Sequence, residues 1–122
     1  MKTVLIVDDS SFMRTLIKRN LSTIDVSVVG EAEDGKIAVE KYIELMPDIV
    51  TLDLAMHEYG GIDALDKIKQ HNPDAKVVIV CSTAGQNQVI EEAKALGACA
   101  IVNKPLVKDE LIDAIKELID DQ

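Results

Sequence analysis

"VLIVDDSSFMR", residues 4–14, decides how the whole chain is read. Four apolar residues, Val4 to Val7, run directly into two adjacent carboxylates, Asp8 and Asp9. A serine pair follows, and then Met13, Leu16, Ile17 and Leu21 recur at helical spacing. A short aliphatic run leading into an amphipathic helix is the start of a strand–helix–strand unit. The acid pair is the anomaly. Two carboxylates ~4 Å apart repel by roughly 4 kcal/mol at an effective dielectric of about 20. Placing both at the end of a buried strand therefore calls for a compensating positive charge.

The alternation repeats along the chain. Aliphatic runs stand at 3–7 ("TVLIV"), 26–32 ("VSVVGEA"), 48–53 ("DIVTLD"), 76–81 ("KVVIVC") and 99–103 ("CAIVN"). Between and after them lie four more helical patterns. These are marked by Ile37, Ala38, Tyr42 and Leu45; by Ile62, Leu65 and Ile68; by Val89, Ile90, Ala93 and Leu96; and by Leu111, Ile112, Ile115, Leu118 and Ile119. Turn residues separate the runs: "EDGK" (33–36), "GG" (60–61), "HNPD" (71–74), Gly97 and Pro105. This pattern predicts an α/β fold with right-handed crossovers and a parallel sheet covered on both faces. Nearly unbroken apolar strands are what double coverage requires. No repeat, linker or low-complexity segment divides the chain, so residues 1–122 read as a single domain.

Composition narrows the function. Hydrophobic residues make up 48% and charged residues 29%, an ordinary globular balance. The aromatics are Phe12, Tyr42 and Tyr59, so the core is aliphatic, with little to stack on a flavin or a single-stranded nucleic acid. A net charge of −9 opposes contact with nucleic-acid phosphates, though not binding of a small cation. The opening apolar run reaches Asp8 too soon for a signal peptide or a membrane span, so a cytoplasmic protein with no membrane partner is expected. Cys81 and Cys99 lie in apolar runs and read as small core residues.

In a parallel sheet every strand delivers its carboxyl end to one edge, where ligands bind in folds of this class. Just past the runs stand Asp8 and Asp9, then Glu31, Asp53, Ser82 with Thr83, and Lys104 before Pro105. Mg²⁺ takes one or two carboxylates, keeps waters and binds phosphate oxygens. Asp8 and Asp9 thus read as half of a magnesium site, with Asp53 as the third carboxylate. A carboxylate can also attack a phosphoryl group to give an acyl phosphate, with a metal and a cation holding the equatorial oxygens. Lys104 fits as that cation and Ser82 as a hydroxyl donor. Singly, an Asp after a strand is a helix cap and a Lys-Pro is a loop. Their joint occurrence at four strand ends argues for chemistry.

Over essentially its whole length the chain resembles the receiver domain of two-component response regulators, most like the single-domain chemotaxis CheY type. The resemblance rests on Asp8–Asp9, on "DIVTLD" ending in Asp53, on Gly61, on "VVIVCST", and on Lys104–Pro105. It implies a flavodoxin/CheY-like, doubly wound five-stranded parallel sheet of strand order 2-1-3-4-5. It implies phosphorylation of Asp53 by a histidine kinase, Mg²⁺ as cofactor, Asp9 as direct ligand, Asp8 as its partner through water, and the Ala55 carbonyl as a further ligand. Ser82 matches the switch hydroxyl and Lys104 the lysine that pairs with the phosphoryl group, with a cis Lys104–Pro105 bond. Catalysis is then limited to self-catalysed phosphotransfer to Asp53 and hydrolysis from it. The implied partners are a histidine kinase, a protein target such as the flagellar motor switch, and a phosphatase, with the chain monomeric. Alternatives within the family are a phosphorelay intermediate, a phosphate sink, or a receiver excised from a larger regulator; the ending "LIDDQ" reads as a natural helix end and favours a stand-alone protein.

Departures from the family pattern are concentrated around the site. His57 and Gly60 stand in a loop, "MHEYGG" (56–61), where the family has proline and an acid or amide. Thr83 replaces a small residue, and Ile101 replaces an aromatic whose ring swings inward on activation. Isoleucine is short and stiff at its first torsion. The signal is therefore expected to leave through the backbone after Ser82 and the start of the fourth helix, Gln86 to Val89. Two rivals fit less well. A flavodoxin-like cofactor protein wants a Ser/Thr/Gly-rich first loop, and "DDSS" is acidic. A haloacid-dehalogenase-like phosphatase wants an Asp two positions beyond its first-strand nucleophile, and position 10 is Ser.

Overall fold

The computed structural model describes residues 1–55, 60–82 and 87–120. Strands and helices alternate: β1 (Lys2–Val7), α1 (Ser11–Leu21), β2 (Val26–Ala32), α2 (Gly35–Leu45), β3 (Ile49–Leu52), α3 (Gly61–His71), β4 (Lys76–Cys81), α4 (Asn87–Ala95), β5 (Ala100–Asn103) and α5 (Lys108–Asp120). All strand pairs are parallel and the sheet order is β2-β1-β3-β4-β5, as expected.

Side chains of a strand alternate between faces, and this builds two cores. Leu5, Val7, Val50, Leu52, Val77 and Ile79 pack with Ala38 and Tyr42 of α2, Leu65 and Ile68 of α3, and Ile90 of α4. Val4, Ile6, Ile49, Val78, Val80 and Val102 pack with Ile17 and Leu21 of α1 and with Leu111, Ile112 and Ile115 of α5. β5 is an edge strand and only Val102 is fully buried in it.

Two helix starts follow from local chemistry. Ser10 caps α1 by accepting from the Met13 N–H, and Asp34 caps α2 by accepting from the Ile37 N–H. α3 begins at Gly61, and Gly60 before it offers no side-chain cap. Gly61 is required by close approach: a Cβ there would strike the Asp53 carbonyl oxygen and lie 2.5 Å from the Leu54 Cα.

Two sequence expectations change. Cys81 is buried but Cys99 is exposed, because β5 begins only at Ala100 and Cys99 sits on the approach to this edge strand. Both thiols are free, and Cys81 pairs in register with Asn103, which keeps the two cysteines apart. Glu31 lies within β2 rather than past it. The β1–β2 register slips so that Val4 faces Val28 while Leu5 faces Gly30. Val29 is the extra residue of this bulge. It reverses the parity of β2, which puts Glu31 level with Ile6 on the α1 side of the sheet.

Candidate functional site

The face that packs on α1 and α5 continues upward into the site. Asp8 follows Val4 and Ile6 in the same parity, and Asp53 follows Ile49 and Thr51. The ladder persists past the strand ends: Asp8 N–H donates to the Ala32 carbonyl and Asp53 N–H to the Val7 carbonyl, each at 3.0 Å. Asp8 and Asp53 are therefore level neighbours. β4 and β5 overhang them. Val7, Leu52, Ile79 and Ile101 share one level, so Ser82 and Lys104 sit two residues beyond the aspartates. Two residues are about 6.6 Å, a gap that a lysine side chain spans by reaching back.

It does so. Lys104 Nζ lies 3.0 Å from Asp8 Oδ2 and 3.3 Å from Asp53 Oδ2. Each carboxylate uses its other oxygen on the local backbone. Asp8 Oδ1 accepts from Ser10 N–H at 2.9 Å and Asp53 Oδ1 from Ala55 N–H at 3.0 Å. The carboxylates of Asp8, Asp9 and Asp53 offer oxygen atoms within 4.8 Å of one another. Asp8 and Asp53 are 1% and 3% exposed, whereas Asp9 is partly exposed. Burial raises the Asp8 carboxyl above its ordinary value, against the opposing pull of the Ser10 and Lys104 hydrogen bonds. Burial also works against the Lys104 ammonium, but the Asp8 hydrogen bond and the Asp53 and Asp8 charges outweigh it and hold Lys104 above its ordinary value.

Two buried acids thus share one lysine, with the carboxylate of Asp9 beside them. The donor set is all oxygen, and the two members that are nearly inaccessible to water share a single ammonium between them. Such a set fits a divalent, oxygen-seeking cation of the Mg²⁺ type. Asp8 is nearly inaccessible whereas Asp9 is partly exposed, so Asp9 is the acid that a cation reaches more readily from solvent.

Ser82 is exposed at the end of β4, and Ala55 is exposed two residues after Asp53. The Lys104–Pro105 peptide is cis, as the resemblance implied. Ile101 is half-buried and packs on the α2–α3–α4 core, level with Ile79. His57, Thr83 and Gln86 lie outside the described residues. Glu31, read from sequence as part of the acidic rim, is engaged elsewhere: its carboxylate meets Arg14 Nε at 3.2 Å and Lys18 Nζ at 2.5 Å. Those cations, Lys18 first, hold it below its ordinary value. Sequence reading missed Arg14. Its signal was the spacing of Arg14 and Lys18 along one face of α1, but the bulge that turns Glu31 toward them is a product of strand pairing.

Among the described residues, no helix is long and apolar enough to cross a membrane. Residues 4–116 match the family described as the response regulator receiver domain. Among curated relatives, the chemotaxis protein CheY of Thermotoga maritima is 44% identical over 117 residues, covering 96% of this chain and 97% of that protein. The CheY of Listeria monocytogenes is 45% identical, with 96% and 98% covered. Among solved structures, the CheX–CheY–BeF₃–Mg²⁺ complex of Borrelia burgdorferi aligns with a TM-score of 0.90 at 29% identity, covering 97% of this chain and 89% of that one.

Proposed function

The chain belongs to the response regulator receiver domain family, and from that premise we propose that Asp53 is its phosphoacceptor in a magnesium-dependent chemotaxis switch. The observation that carries this reading is Lys104 poised between two buried carboxylates at the carboxyl edge of the sheet.

The transfer is a displacement at phosphorus. An Asp53 oxygen forms the new P–O bond while the P–N bond of a kinase phosphohistidine breaks, and the imidazole leaves with the electron pair. Lys104, already 3.3 Å from Asp53, moves its charge onto a phosphoryl oxygen. The Ala55 N–H fixes the rotation of the Asp53 carboxylate. Ser82 donates its hydroxyl to a phosphoryl oxygen, which draws the β4–α4 loop toward the site. Asp8 and Asp9, with Asp53 and the Ala55 carbonyl, hold Mg²⁺, which when bound neutralises the acids and the incoming phosphoryl charge. The Borrelia relative, solved with BeF₃ and Mg²⁺, supports this assignment. Hydrolysis of the acyl phosphate returns the domain to its resting state.

The chain works as one receiver domain, a cytoplasmic monomer phosphorylated by a histidine kinase. Its CheY relatives support an output toward a protein such as the flagellar motor switch, with a phosphatase resetting it. Beryllofluoride, a phosphoryl mimic, tests the reading. Added with Mg²⁺ it should shift the amides around Asp53 and Ser82 in the wild type. It should shift none without Mg²⁺ and none in Asp53→Asn. Equal shifts in that variant would overturn the assignment.

A further inference from the structure

We infer that Arg14 is a positioning residue for the metal site: it fixes the Asp8–Asp9 peptide so that the Asp9 carboxylate stays aimed at Asp8 and Asp53. This rests on the reading that those three aspartates hold a divalent cation.

Arg14 projects from the first turn of α1 with a side chain only 16% exposed. Its Nη1 donates to the Asp8 carbonyl oxygen at 2.7 Å and its Nε to Glu31 Oε1 at 3.2 Å. That carbonyl belongs to the peptide unit that leads into Asp9. Rotating this plane swings the Cα–Cβ bond of Asp9, so holding the oxygen holds the direction of the metal-facing acid. Every other polar atom of Asp8 is also engaged: N–H with Ala32, Oδ1 with Ser10 and Oδ2 with Lys104. Arg14 adds a constraint on the peptide that leads into Asp9.

Glu31 keeps Arg14 at this task. Unclamped, a guanidinium so near the aspartates has the option of pairing with their carboxylates and competing with the cation. Glu31 captures its Nε edge, and Lys18 at 2.5 Å holds the other carboxylate oxygen. Lys41 Nζ donates to the Glu31 carbonyl at 2.5 Å, tying β2 to α2. The Val29 bulge aims Glu31 at α1 in the first place. Three elements, α1, β2 and α2, thereby converge on the orientation of one peptide.

The sign of the effect separates positioning from charge. Arg14→Ala removes a positive charge near a cation site, so electrostatics alone makes Mg²⁺ bind more tightly. Positioning makes it bind more weakly, and loss of a partner outside the ligand sphere typically weakens metal binding about tenfold or more. Titration calorimetry with Mg²⁺ alone should show about a tenfold loss for Arg14→Ala. Arg14→Lys keeps the charge but cannot serve both partners, and it should remain severalfold weaker than wild type. Lys18→Ala removes the same charge from Glu31 without touching Asp8, and it should stay within about twofold of wild type. In the metal-free protein, amide hydrogen exchange at Asp9 and Ser10 should quicken in Arg14→Ala and not in Lys18→Ala. Unchanged or tighter Mg²⁺ binding by Arg14→Ala, full recovery in Arg14→Lys, or equal losses in Arg14→Ala and Lys18→Ala would each overturn the inference. Should the wild type itself bind no Mg²⁺, the metal reading fails. The exchange measurement then decides the positioning claim, and unchanged exchange at Asp9 and Ser10 overturns it.

Discussion

Replacing Lys104 with methionine keeps most of the stem and removes the charge from between the two buried aspartates. The ammonium lies 3.0 Å and 3.3 Å from their oxygens, so each attraction is about 5 kcal/mol at an effective dielectric of about 20. Desolvation of the three charges offsets most of that gain. What the substitution reveals is the cost of leaving two carboxylates, with side chains 1% and 5% exposed, without a cation. Breaking a buried pair costs about 3–5 kcal/mol. The Lys104 side chain is itself 22% exposed and partly screened, so a loss of about 2–3 kcal/mol is expected at pH 7.5 without divalent metal. For a domain of this size that is a fall of about 10 °C in Tm. The pH dependence has a definite sign. Burial already holds Asp8 above its ordinary value of 3.8, and losing Lys104 raises it further. An acid whose folded pKa exceeds its unfolded one takes up its proton preferentially in the native state. Stability therefore increases as pH falls through the folded pKa toward 3.8. The deficit of Lys104→Met should shrink as pH falls from 7.5 toward 3.8. Mg²⁺ stabilises each protein by about 2.7 kcal/mol at a hundred times its own Kd, so at one Mg²⁺ concentration the deficit should shrink by as much as the variant, freed of the competing ammonium, binds the ion more tightly. Thermal melts of both proteins, in chelator and in Mg²⁺, across this pH range, measure this. A variant that melts within about 2 °C of wild type in chelator at pH 7.5, or a deficit that grows with acid or Mg²⁺, would refute the electrostatic reasoning.

Four other outcomes are expected. Gly60→Asn should stabilise the fold by about 0.5–1 kcal/mol in denaturant titration, since the uncapped start of α3 has open space for a side chain. Gly61→Ala should cost more than about 2 kcal/mol and impair the site, because its Cβ meets the rigid Asp53–Leu54 backbone; a melt indistinguishable from wild type would contradict that contact. Native protein should react with a thiol reagent once, at Cys99, while burial keeps Cys81 inaccessible and its thiol above the ordinary value; mass spectrometry of the labelled peptides checks this. The Lys104 contribution to stability is fully present below 10.5 and is lost as pH rises through its higher folded value, so alkaline melts of wild type and Lys104→Met should converge.

Much of this was legible in the chain because it depends on short-range pattern. Unbroken aliphatic runs with turn residues between them place all five strands, and counting from Ser82 to Lys104 gives the register that sets Cys81 opposite Asn103. The acids at strand ends come together because a parallel sheet gathers its carboxyl ends. What was not legible depends on pairing and depth. The Val29 bulge exists only relative to β1, so the turning of Glu31 toward α1 left no local trace. Cys99 reads as core within "CAIVN", yet an edge strand that starts one residue later leaves it exposed. The overhang of β4 and β5, which makes Lys104 reach back, follows from register across three strands.

The signal route is open to the same spectroscopy as the site. Ile101 is packed against the α2–α3–α4 core, so it has little room to report a change by swinging. Beryllofluoride shifts should be large from Ser82 to Val89 and modest at Ile101. A rotamer flip at Ile101 with a still α4 would place the route in the side chain instead.

The most direct test is the intact mass of the protein after incubation with an acyl phosphate donor and Mg²⁺. The expected result is one added phosphoryl group on the wild type, none when Mg²⁺ is chelated, and none on Asp53→Asn. Equal labelling of Asp53→Asn, or labelling that survives chelation, would contradict the assignment of Asp53 as a magnesium-dependent phosphoacceptor.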